Sequence, residues 1–212
     1  MRPVAVPGEI RVLVVDDHPL MREGIVAVIQ AEADIAVVGE ASDGQQAIEA
    51  FRRLRPDVTL MDVQMPAMNG IDVIKAIRVE FPNARFIVLT TYQGDVQALR
   101  ALKAGAGGYL LKSMIWKDLP ESIRAVHSGR RKIPPEVAAA LAEHVADDML
   151  SERELQVLRR VAVGTSNKVI AAELSLSEAT IKAHMKSILA KLGANDRTHA
   201  VTIAVKRGFL EG

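Results

Sequence analysis

The chain has 212 residues, 49% of them hydrophobic, 25% charged and only 3% aromatic, which is enough length and apolar content for one or two globular domains with a real core. It holds no cysteine, so disulfides, thiolate metal sites and a cysteine nucleophile are excluded, and the chain fits a reducing cytoplasm. The net charge of +1 hides a split. Residues 1–150 carry 17 Lys and Arg against 20 Asp and Glu, whereas residues 151–212 carry 10 against 6, so the two parts suit different partners.

The opening MRPVAVPGE has neither a basic head nor a long apolar stretch, and no run of about 18 apolar residues occurs anywhere. A cytoplasmic protein with no membrane contact and a flexible tail over residues 1–9 is therefore expected. From Ile10, short apolar runs alternate with segments of helical period. Strands are predicted at Ile10–Val15, Ile35–Gly39, Val58–Met61, Arg85–Leu89 and Gly108–Leu111. Helices are predicted near Pro19–Ala31, Gly44–Leu54, Gly70–Phe81, Val96–Ala104 and Ile115–His127. Five strands alternating with five helices imply an α/β fold, a doubly wound parallel sheet covered on both faces, over residues 10–128.

Asp16, Asp17, Asp62, Thr90 and Lys112 each follow one of the apolar runs, which places all five at the carboxyl edge of such a sheet, where open α/β sheets bind ligands. Three carboxylates together repel one another unless a hard cation sits among them, and Mg2+ is the natural candidate. Asp17 and Asp62 are assigned as direct ligands and Asp16 as a ligand through water. With the metal in place, the Asp62 carboxylate is a nucleophile for phosphorus, while Lys112 and the Thr90 hydroxyl meet the transferred group. His18 lies beside this pocket and is read as a loop residue.

Residues 129–149 form a linker, in which Gly129 and the Pro134–Pro135 pair break the preceding helix and a short Ala-rich helix follows. The last part, residues 150–212, is predicted to be all-α. Ser151 to Glu154 read as a capping box for a helix reaching about Val163. Helices at Asn167–Leu174, Glu178–Leu192 and Arg197–Arg207 follow, with Ser166 and Ser177 as caps and Gly164, Gly193 and Gly208 at helix ends. The pair around Ser175–Ser177 is a helix-turn-helix arrangement. Its second helix offers Lys182, Ala183 and Lys186 on one side, with His184 nearby, and an apolar stripe of Ile181, Ile188, Leu189 and Leu192 on the other.

The segments VLVVDDHPLMREGI, PDVTLMDVQMPAMNGID, IVLTTY and AGAGGYLLKS resemble the receiver domain of bacterial two-component response regulators. The stretch from SERELQVL to DRTHAV resembles the LuxR-type DNA-binding domain, and the order of the two is that of NarL/FixJ-type response regulators. The resemblance implies a flavodoxin-like five-stranded receiver followed by a four-helix helix-turn-helix domain. It makes Asp62 the acceptor of a phosphoryl group from a sensor histidine kinase, Thr90 and Tyr109 the switch residues, Lys112 the partner of the phosphoryl group and the Gln64 carbonyl a further Mg2+ ligand. It also implies that Lys182, Ala183 and Lys186 face bases, with His184 at the same helix, and that Thr165, Ser166, Asn167, Lys168, Thr180 and Lys191 approach the backbone of double-stranded DNA. The last helix would make the contact of a homodimer formed on phosphorylation, and RNA polymerase is a further expected partner. Two alternatives stand beside this one. An aspartate-nucleophile phosphohydrolase would place its nucleophile after the first strand in an Asp-x-Asp pattern, and a phosphorylation-independent regulator would have no need of all five pocket residues.

Overall fold

The computed structural model describes residues 8–91, 95–144 and 150–210. Most of the expected tail and the end of the linker, residues 1–7 and 145–149, lie outside them. The chain divides into two compact units, the first built on a sheet and the second all-helical.

In the first unit, strands β1 (Ile10–Val15), β2 (Ile35–Ala41), β3 (Val58–Asp62), β4 (Phe86–Thr90) and β5 (Gly108–Leu111) pair in parallel in the order β2-β1-β3-β4-β5. β3, β4 and β5 are buried at every position, which is why they read as unbroken apolar runs rather than alternating ones. Helices α1 (Pro19–Gln30), α2 (Gly44–Leu54), α3 (Gly70–Glu80) and α4 (Asp95–Lys103) connect the strands, and α5 (Ile115–His127) follows β5 after a 3-10 turn at Lys112–Met114. Short polar side chains start two of them. Asp43 accepts from the Gln46 amide at the head of α2, and Asn69 accepts from the Ile71 amide at the head of α3.

The observed elements differ from expectation mainly at their ends. β2 runs two residues further, to Ala41, and a register shift at Val12/Leu13 accompanies that extra length. β3 and β4 take in Asp62 and Thr90 as their last residues, so both candidate site residues sit in the ladder, paired through Asp62↔Leu89 and Thr90↔Leu111. Beyond α5, Gly129 (φ 83) turns the chain and Lys132 meets the outer edge of β5. Its amide donates to the Gly107 carbonyl at 3.1 Å, its carbonyl accepts from the Tyr109 amide at 2.9 Å, and its ammonium pairs with Glu121 at 2.8 Å. The Ala-rich helix follows as α6 (Pro135–His144).

The second unit contains α7 (Glu152–Ala162), α8 (Asn167–Glu173), α9 (Glu178–Leu192) and α10 (Arg197–Arg207). The capping box is present: the Ser151 hydroxyl accepts from the Glu154 amide while the Glu154 carboxylate accepts from the Ser151 amide. Ser177 caps α9 through the Thr180 amide, but Ser166 makes no side-chain cap, so that expectation fails and the first amides of α8 do without it. Gly193 and Gly208 adopt positive φ as the left-handed caps of α9 and α10. The core joins Leu155, Leu158 and Val161 of α7 to Ile170 of α8, Ile181, Met185, Ile188 and Leu192 of α9, and Ala200 and Ala204 of α10. Met185 belongs to the buried stripe of α9, and Leu189, expected there, is only partly covered. Among the described residues no helix is long and apolar enough to cross a membrane.

Candidate functional site

The sheet brings Asp16, Asp17, Asp62, Thr90 and Lys112 to one edge, as their positions after the apolar runs predict. Asp16 and Asp62 are buried, Thr90 is buried beside them, and Asp17 is partly open to solvent. The Lys112 ammonium bridges the two buried carboxylates, 2.8 Å from Asp16 Oδ2 and 2.8 Å from Asp62 Oδ2. The other oxygens have different partners. Asp16 Oδ1 accepts from the His18 amide at 2.8 Å, and Asp62 Oδ1 accepts from the Gln64 amide at 3.3 Å. Arg22 donates to the Asp16 carbonyl at 2.7 Å and so fixes the backbone after β1.

Burial pushes the Asp62 carboxyl above the usual carboxylate range, with the neighbouring Asp16 charge acting in the same direction. Lys112 and the Gln64 amide oppose this without overcoming it. Burial alone would lower the Lys112 ammonium, yet its hydrogen bonds to Asp16 and Asp62 raise it above its ordinary value. One ammonium against three carboxylates leaves the pocket negative, and ligand atoms of Asp16, Asp17, His18 and Asp62 lie within 4.8 Å of one another. These hard oxygen donors fit a divalent cation, and receiver domains generally bind Mg2+ in such an acidic pocket.

Thr90 and Tyr109 stand on adjacent strands, and their side chains share a hydrogen bond. Tyr109 is fully buried, and its phenol is pushed up to about 12 by burial, which the Thr90 contact only partly offsets. Gly70, which sequence reasoning did not single out, proves essential to the pocket's geometry. A Cβ at Gly70 would lie 1.9 Å from the carbonyl oxygen of Asp62, so the head of α3 approaches the end of β3 closer than any side chain permits. In the sequence Gly70 shows only as the first residue of the expected helix Gly70–Phe81.

In the second unit, Lys182, Ala183 and Lys186 lie exposed on one side of α9, opposite the buried stripe, and His184 is half-buried. The Lys182–Glu178 contact at 3.5 Å is solvent-exposed and holds the lysine only weakly. Thr165, Ser166, Asn167 and Lys168 form the turn into α8. Gly164 (φ 80) makes that turn, and Arg197 donates to the Thr165 carbonyl at 3.0 Å. Thr180 is engaged with Ser177, hydroxyl to hydroxyl at 2.8 Å. Lys191 is drawn inward: its ammonium lies 2.8 Å from Glu154 Oε2, and Ser187 donates to Glu154 Oε1 at 2.6 Å. Burial opposes ionisation of Glu154, but Lys191, Ser187 and Ser151 together pull its carboxyl down to about 2. Glu154 was legible as a capping residue and not as the hub of this buried network.

Comparison with known proteins accords with both halves. Residues 12–124 match the response regulator receiver domain, and residues 148–204 match the luxR family of bacterial regulatory proteins. The uncharacterized transcriptional regulatory protein YxjL of Bacillus subtilis is 40% identical over 214 residues, covering 96% of this chain and 98% of that protein. The response regulator protein VraR of Staphylococcus saprophyticus is 35% identical over 207 residues, covering 95% and 99%. Among solved structures, RcsB of Salmonella enterica serovar Typhimurium, bound to a promoter in the presence of phosphomimetic BeF3-, aligns with a TM-score of 0.73 and 31% identity, over 93% of this chain and 98% of that one. YxjL is named a transcriptional regulatory protein and VraR and RcsB are named response regulators, a family of regulators rather than of enzymes, which sets aside the phosphohydrolase alternative. The chain belongs to the NarL/FixJ-type response regulators and is a DNA-binding transcriptional regulator composed of a receiver and a LuxR-type helix-turn-helix domain.

Proposed function

We propose that Asp62 accepts a phosphoryl group from a sensor histidine kinase and that this modification turns on dimeric, sequence-specific DNA binding. The observation that carries the reading is the Lys112 ammonium, seated 2.8 Å from both Asp62 and Asp16 where phosphoryl charge would arrive. Mg2+ would be held by Asp17, Asp62 and the Gln64 carbonyl and, through water, by Asp16. Bound there, it supplies charge neutralisation to nucleophile and phosphoryl group alike. An Asp62 oxygen attacks phosphorus, the donor's phosphorus–nitrogen bond breaks, and its electron pair returns to the imidazole, which takes up a proton. Lys112 exchanges its Asp62 contact for a phosphoryl oxygen. Thr90 turns its hydroxyl to the new group, and its bond to Tyr109 carries the change along the adjacent strand.

The division into a tail (1–9), receiver (10–128), linker (129–149) and DNA-binding module (150–212) follows from this reading. Lys182, Ala183 and Lys186 read bases with His184 beside them. Thr165, Ser166, Asn167, Lys168 and Thr180 approach phosphates, and Lys191 does so while anchored by Glu154. α10 supplies the dimer contact, and the unmodified receiver restrains the module. The protein acts in the cytoplasm, with RNA polymerase as its downstream partner.

The test is oligomeric state by light scattering, together with binding to DNA selected by the protein from random sequence, with and without beryllofluoride and Mg2+. A shift to dimer with tighter DNA binding, lost in Asp62→Asn, is expected. Equal binding in both conditions would overturn the phosphoswitch and leave a phosphorylation-independent regulator.

A further inference from the structure

We propose that the outer face of α7, where it meets the end of α8, is a docking groove for an acidic amphipathic helix of a partner protein. The groove has a volume of about 520 Å3 and is lined by Gln156, Arg159, Arg160, Val163 and Leu174. It belongs entirely to the DNA-binding half, and none of its lining residues lies on α9.

Helical spacing builds this face. Gln156, Arg159, Arg160 and Val163 recur at intervals of three and four residues, which puts them in one row opposite the buried Leu158 and Val161. Leu174 ends α8 as its C-cap, and the chain turns away at once through Ser175 (φ 54). Arg153, one turn before Gln156 on α7, holds the two walls together: its guanidinium donates to the Leu174 carbonyl at 2.7 Å and to Gln156 Oε1 at 2.8 Å. A groove fixed in this way needs little ordering when a ligand arrives. Two large apolar side chains stand open to water around it. Val163 is 74% exposed, and Val169 is 47% exposed on α8, one turn before the Glu173 that meets α7. Apolar surface left bare beside a preformed groove marks a contact surface.

Charge selects the occupant. The lining carries two guanidiniums and no carboxylate. Arg160 reaches Glu173 at 3.1 Å, a solvent-exposed pair of small worth that an incoming carboxylate can replace. Arg159 is exposed and has no ion pair among the described residues. A helix with leucines one turn apart and Asp or Glu beside them sets its apolar face on Val163, Val169 and Leu174 and its carboxylates on Arg159 and Arg160. Nucleic acid is a worse match: no aromatic ring lines the groove for a base to stack on, and valine offers nothing to a phosphate.

The experiment uses the full chain, labelled for amide NMR, and three helical peptides of one design: acidic with a leucine face, its lysine-for-glutamate counterpart, and the acidic peptide with serine for leucine. The acidic leucine peptide is expected to shift the amides of Gln156, Arg159, Val163 and Leu174, and to bind about tenfold more tightly than either control. Val163→Asp and Arg159→Glu, both at exposed positions, should each lower that affinity about tenfold while DNA selected by the protein is bound as by wild type. Shifts confined to α9 around Lys182 and Lys186 would mean that the peptide only imitates DNA, and would overturn the proposal. So would equal binding of all three peptides, no binding, or displacement of the acidic peptide from the groove by a single-stranded oligonucleotide.

Discussion

Each half of the molecule buries a carboxylate against a lysine, and the two pairs are opposites. In the receiver, Asp62 has Lys112 at 2.8 Å and the Gln64 amide at 3.3 Å, but it also faces Asp16, and its carboxyl is pushed up. In the DNA-binding half, Glu154 receives Lys191, the Ser187 hydroxyl and the Ser151 amide, with no like charge among its causes, and is pulled down to about 2. A carboxylate beside a lysine is thus under-compensated in one place and satisfied in the other. A carboxylate that its surroundings leave short of partners is reactive toward a cation or a phosphoryl group. One whose lone pairs are filled serves as a structural pin.

Neutralising each acid without changing its shape should pull the pairs furthest apart. Glu154→Gln is expected to destabilise the DNA-binding half by roughly 2–4 kcal/mol, since a lowered carboxyl translates into stability at about 1.4 kcal/mol per unit. Because the folded carboxyl titrates near 2 against an ordinary 4.5, that stability is present above pH 4.5 and lost as pH falls toward 2. Asp62→Asn, measured with chelator present, should leave the receiver's melting temperature unchanged or raise it, since the raised carboxyl marks a charge that costs stability when ionised. Thermal melts of both variants between pH 3 and 7 check this. An Asp62→Asn receiver that melts well below wild type would erase the contrast.

The receiver's own weak point is geometric. Gly70→Ala forces a Cβ against the Asp62 carbonyl and should cost roughly 1–3 kcal/mol or more, with phosphodonor labelling slowed as the acceptor shifts. Denaturant titration and labelling kinetics read the two effects, and wild-type values for both would show that α3 can retreat freely. The smallest effect is expected on α9. Lys182→Ala or Lys186→Ala should leave stability untouched and cost at least about 1 kcal/mol in discrimination between operator and random DNA. A fall in affinity that is equal for all sequences would mean that the lysine touches only phosphate.

The sheet was legible because fully buried parallel strands write themselves as apolar runs, and the five pocket residues followed because strand ends share an edge. Thr90 and Asp62 were placed just after their strands and turn out to close them, a one-residue difference set by the pairing with β4 and β5. Tertiary approaches were not legible. Nothing local distinguishes the Gly70 that must admit the Asp62 carbonyl from an ordinary helix-opening glycine, and the Glu154–Lys191 pair spans 37 residues of chain. Ser166 had the right residue type for a cap but not the hydrogen bond, because position alone does not orient a hydroxyl. The sequence marks His18 only as a loop residue, because the turn of its ring over Asp17 is a matter of rotamer.

Lys132 also determines where the receiver can safely be cut. β5 lies at one end of the sheet order, and an uncovered outer strand is a template for adding another chain. Here the Gly107 carbonyl and the Tyr109 amide are already occupied by the main chain of Lys132. An isolated receiver that stops at the last turn of α5 strips that cover and leaves a bare edge beside Tyr109. One carried on to Pro134 keeps its edge shut and should remain monodisperse at concentrations where the shorter piece self-associates.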